Sequence, residues 1–177
     1  MDANDTKAKA GKAANPAVNG NAAGRGTAAA FGDAVVVMMR SPNHRTTFLP
    51  ELEWLVAPGI ASGQFAFAQR SDANSGATAA IGLVLWAMVS EAVDKRLTGS
   101  NSRPKLKPEE WMSGQIPWLI EATGEPEATR ELVKALVNRR FAKTGVRAMQ
   151  LGTDGRLAMT LLKPEAETAP AAGTATN

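Results

Sequence analysis

The chain has 177 residues and a net charge of +3, from 20 Lys and Arg against 17 Asp and Glu, with one His and neither Cys nor Tyr. That inventory excludes disulfides, thiol nucleophiles, zinc or iron–sulfur sites built on thiolates, and any metal centre that needs several imidazoles from one chain. Proton transfer near neutrality is left to His44 and the carboxylates, and the mild basicity lies far from that of a dedicated nucleic-acid binder, so nucleic acid is not an expected partner.

Residues 1–30 contain 11 Ala, 4 Gly and 4 Asn and no aromatic side chain, too little apolar surface to offset the entropy of ordering. Residues 164–177 read the same way, so both are expected to be disordered tails around one domain over residues 31–163. The first lysines have no apolar stretch behind them, which argues against a secretory signal and for a cytoplasmic protein.

Within the domain, Asp33 is expected to cap a helix over AVVVMMR that must stop before Pro42, because a residue preceding proline disfavours helical torsions. Residues 41–44 form a turn. Pro50 opens a short helix with Leu52, Leu55 and Val56 on one face, closed by Pro58 and Gly59. Residues 64–70 alternate, placing Phe65 and Phe67 on one side of a strand. After a turn at 71–76, residues 77–89 form a mostly apolar strand suited to a sheet interior. It is also the longest near-candidate for a membrane span, but Thr78 and Gly82 interrupt it and it falls short of the roughly 18 residues required.

Ser90 and Glu91 open a helix to Leu97, and residues 98–108 are a Gly-, Ser-, Pro- and Lys-rich loop. A strand follows at 118–121. Pro126 starts a helix that ends before Gly145, with Leu132, Leu136 and Val137 inward. Residues 146–151 and 156–162 flank Thr153-Asp154-Gly155 as a hairpin. This mixed order implies a layered α/β (α+β) domain.

Three residues stand out for chemistry. His44 can take and give protons near neutrality and sits in a turn, although a histidine there can equally serve the backbone. Ser41, three residues before a histidine, suggests a nucleophile, but no GxSxG elbow surrounds it, and a serine before proline also suits a turn hydrogen bond. Glu121 ends an apolar triplet, where a carboxylate can be partly desolvated and hold an imidazole in one tautomer. Arg139, Arg140, Lys143 and Arg147 form a basic cluster that reads either as a solvated helix face or as a dock for an acidic partner.

Several motifs in fixed order tie these residues together: SPNHR at 41–45, LEWLVAPGI at 52–60, LWAMVSEAVDKRL at 85–97 and LKPEEWMSGQIPWLIE at 106–121. In these the chain resembles the RTX toxin-activating lysine acyltransferases, which attach fatty acyl groups to internal lysines of an RTX protoxin. The resemblance implies a GNAT-like fold with a mixed, mainly antiparallel sheet flanked by helices. It also implies acyl carrier protein as the thioester donor, no tightly bound cofactor, and the protoxin as the acceptor partner. A homodimer is among the assemblies left open.

By the same resemblance His44 is the catalytic histidine and Glu121 stands where the family carries an aspartate; in the mechanism read from the residues His44 is the base and Ser41 holds the motif loop. The fatty chain would lie against Val84, Trp86 or Trp118. The family's Ser-Gly-Asp is Ser113-Gly114-Gln115 here, and its Ala-Pro-Phe-Gly falls on Ala122-Thr123-Gly124. No Gly-rich pyrophosphate loop is evident, in keeping with a carrier-bound donor. Two other readings stand beside this one: a non-catalytic relative that binds protoxin or carrier, and a coenzyme A-dependent acetyltransferase.

Overall fold

The computed structural model describes residues 26–71, 75–153 and 155–164. The expected tails therefore lie almost entirely outside the described residues, as do parts of the expected turns at 71–76 and 153–155. Helix α1 spans Thr27–Arg40 and starts six residues before Asp33, so Asp33 sits within the helix and Gly26 occupies the cap. The early start follows from spacing. Ala30, Ala34, Val37 and Met38 recur on one helical face and all are buried. The helix ends at Ser41, in extended backbone ahead of Pro42, as the proline requires.

Two short 3₁₀ turns, Pro42–His44 and Leu49–Glu51, lead into α2 (Leu52–Leu55) and α3 (Ala57–Ala61). The Pro58-Gly59 pair was expected to end a helix. Pro58 instead takes one of the first positions of α3, where the missing N–H costs no helical hydrogen bond. The remaining elements are β1 (Phe65–Ser71), β2 (Thr78–Val89), α4 (Glu91–Thr98), β3 (Ile116–Gly124), α5 (Pro126–Ala135), β4 (Val146–Leu151) and β5 (Leu157–Leu162). A turn of π-helix over Leu136–Arg140 continues α5.

The five strands form one sheet in chain order. Pairing is antiparallel except between β3 and β4, which run parallel around the α5 crossover and meet at a single register pair, Trp118 with Arg147. Strand β2, interior to the sheet, shows why its sequence is nearly all apolar: both of its faces are covered. Leu83, Leu85, Ala87 and Val89 point into one core with α1 to α4, whereas Val84 and Trp86 point into a second core under α5 with Leu132, Leu136 and Val137. Phe65 and Phe67 share the first core and meet edge to face at 5.5 Å.

This is the α+β, GNAT-like arrangement expected, a mixed and mainly antiparallel sheet flanked by helices. Among the described residues no helix is long and apolar enough to cross a membrane.

Candidate active site

The Ser41 amide donates to the Met38 carbonyl as α1 ends, and the Ser41 carbonyl accepts from the His44 amide at 3.1 Å. The His44 carbonyl in turn accepts from Thr47 N at 3.0 Å. Pro42 fixes the start of this double turn. The outcome is a histidine held by its own backbone on the α1–α4 side of the sheet, with a side chain only 4% exposed.

Glu121 reaches the same place through an irregularity in β3. Leu119 pairs with Trp86 and Glu121 pairs with Leu85, so Ile120 is an extra residue, a β-bulge. Without it, alternation would turn Glu121 toward α5, on the side of its neighbour Leu119. With it, Ile120 packs into the first core and Glu121 faces the same way. Glu121 Oε1 then lies 3.3 Å from His44 Nε2, with the glutamate side chain 13% exposed. The same oxygen accepts from the Ala122 amide at 3.1 Å, which fixes the carboxylate. The contact with Nε2 is an ion-pair approach and is not aligned as a hydrogen bond, and Nε2 makes none among the described residues. The other ring nitrogen, Nδ1, lies 3.4 Å from Thr47 Oγ1.

His44 and Glu121 line a pocket of about 150 Å³. Asn43, Thr47, Glu51 and Trp54 contribute from the segment after α1, Ile120 from the bulge, and Arg103 and Pro104 from the loop before β3. Lys105 stacks 4.9 Å over the Trp54 ring, and its carbonyl accepts from Arg96, so the loop is anchored beside the pocket. Glu51 Oε2 accepts from the Phe48 amide at 2.8 Å, closing the turn that carries Thr47 into Phe48.

Of the three candidates, His44 and Glu121 thus meet, although they stand 77 positions apart in the chain. Ser41 is buried nearby, but its backbone groups do the positioning. Among the described residues its hydroxyl makes no hydrogen bond to the imidazole, and it does not line the pocket. Sequence reasoning passed over Thr47, Asn43, Glu51, Trp54 and Arg103. For Thr47 a signal existed, since a residue three positions after a turn histidine returns to its side.

Two other expectations change. Val84 and Trp86 belong to the core under α5, across the sheet from His44, and Trp118 is sealed with its Nε1 donating to Asp94 Oδ1 at 2.8 Å. None of the three borders the pocket. The basic cluster is also divided. Arg147 forms an ion pair with Asp94 of α4, whereas Arg140 stacks 5.0 Å over Trp86 on the α5 side. Burial pushes the Asp94 carboxyl up, but hydrogen bonds from Arg147 and Trp118, with the Arg147 charge, outweigh it and hold the group below the usual carboxylate range.

Ser113 and Gly114, eight and seven residues before Glu121 and ahead of β3, have structural roles. The Ser113 hydroxyl accepts from the Ser90 amide at 2.9 Å, and the Gly114 amide donates to the Met88 carbonyl at 3.0 Å. A Cβ at Gly114 would collide with the Val89 carbonyl and lie 2.6 Å from Ser90 Cα.

Comparison with curated proteins returns no match. Comparison with protein families returns one that covers the whole sheet, both helical layers and the pocket, residues 25–162. Its acyl-transfer activity suits a pocket where a fixed imidazole meets a fixed carboxylate, and on that span the chain belongs to the RTX toxin acyltransferase family.

Proposed function

We propose that the chain transfers a fatty acyl group from acyl carrier protein to internal lysines of an RTX protoxin, in the cytoplasm, with His44 as general base. The observation that carries this reading is the 3.3 Å approach of Glu121 Oε1 to His44 Nε2 at the wall of the pocket. A lysine amine has a reference pKa near 10.4 and is almost wholly protonated at neutral pH, so attack on a thioester needs a proton acceptor. The imidazole is that acceptor, and Glu121 stabilises the imidazolium it becomes. Ser41 holds the motif turn through its backbone.

A cavity of about 150 Å³ takes a group the size of benzene. It therefore receives the lysine tip and the thioester carbon, and the remainder of a long chain lies outside it. Neither a cofactor nor a metal enters the scheme.

The test is intact mass of a protoxin fragment incubated with the chain and an acyl-carrier thioester. Fatty acyl mass on lysine is expected with the wild type and none with His44→Ala, whose fold is checked by circular dichroism. Acetyl mass obtained with acetyl-coenzyme A alone would favour the acetyltransferase. A tight complex with unchanged mass would favour a binding protein.

A further inference from the structure

The two nitrogens of the His44 ring face different chemistry. Nε2 has almost no accessible surface and looks onto the Glu121 carboxylate. A lone pair there would oppose an anionic oxygen, so the neutral ring keeps its proton on Nε2 and its lone pair on Nδ1. A substrate in the pocket has no route to the sealed nitrogen. At Nδ1 the neighbour is Thr47 Oγ1, 3.4 Å away, on a half-buried residue that itself lines the pocket. The backbone places it there, because Thr47 N donates to the His44 carbonyl at 3.0 Å.

Building on the reading of His44 as base, we propose that the Thr47 hydroxyl relays the proton from the acceptor amine to His44 Nδ1. The lysine ammonium gives one proton to Thr47 Oγ1 as the Thr47 O–H proton passes to Nδ1, leaving imidazolium and a neutral amine. The amine nitrogen bonds to the thioester carbon. The C–S bond breaks with its electron pair on the departing thiolate, and that thiolate takes a second N–H proton, giving amide and thiol. The imidazolium, held by Glu121, returns its proton to solvent after release.

Because His44 is the sole histidine, ¹⁵N-histidine labelling yields a spectrum of this one ring in the full-length chain. The neutral ring is expected as the Nε2–H tautomer. Thr47→Val, which keeps the shape and removes the hydroxyl, is expected to lower kcat/KM at least 10²-fold with an unchanged melting temperature, and Thr47→Ser to stay within a few-fold of wild type. A dominant Nδ1–H tautomer would overturn the relay, and so would a fully active Thr47→Val. A wild-type chain that acylates nothing would overturn the parent reading and the relay together, whereas an active wild type with an indifferent valine variant would overturn the relay alone.

Discussion

Glu121 has one more methylene than the aspartate its position resembles, and the site is built around that length. Its Cβ is set by the bulge and its Oε1 by the Ala122 amide, so shortening the side chain withdraws the carboxylate by about one C–C bond, roughly 1.5 Å. From 3.3 Å, such a retreat ends direct contact with Nε2. Glu121→Asp is therefore expected to lower kcat/KM about tenfold. Glu121→Gln keeps the length but loses the charge, and is expected to cost about 10²- to 10⁴-fold. Steady-state kinetics with an acyl-carrier thioester and a protoxin fragment measure both. An aspartate variant as fast as wild type would show that the carboxylate acts through its field and not through contact.

The elements around the site depend on close approaches that side chains would block. The turn before β3 docks on the end of β2 because Gly114 has no Cβ, and a methyl would press on the backbone of Val89 and Ser90. Gly114→Ala is expected to destabilise the fold by about 1–3 kcal/mol in urea unfolding, while transfer measured well below the melting temperature changes little. Much of this level was legible in the sequence. Alternation of Phe65 and Phe67, the mostly apolar run of β2 and the Ser90 cap of α4 each express a local rule that burial on the sheet reinforces. The bulge at Ile120 was not legible, because Trp118, Leu119 and Ile120 are all apolar and both faces of β3 need apolar residues, so the run carries no phase. Hence the sequence marked Glu121 as a candidate without revealing which face it takes. The α1 start was misplaced for a different reason. An Ala-rich stretch looks like a tail until its spacing is seen to match a groove.

For the molecule as a whole, one polar cluster links acid to the stability of the fold. Asp94 joins α4 to Trp118 of β3 and Arg147 of β4, and its carboxyl is held below the usual range. A depressed carboxyl contributes stability that is present above the unfolded pKa, about 3.9, and lost as pH falls through the lower folded value. Melting temperatures are expected to drop below about pH 4 in the wild type and to drop less steeply in Asp94→Asn, which is already weaker at pH 7. Parallel curves for the two proteins would remove Asp94 from the account of acid sensitivity.

The single register pair between Trp118 and Arg147 has a mechanical consequence. All five strands carry antiparallel ladders within their own groups, β1–β3 and β4–β5, yet the two groups are joined by a single register pair. The β4–β5 hairpin, tied across that seam by one backbone register pair and by the Arg147–Asp94 ion pair, is expected to open separately from the rest of the sheet. Its amides should trade deuterium through a partial opening at lower free energy than those of β2, and removing the Arg147–Asp94 ion pair by Arg147→Met should widen that gap.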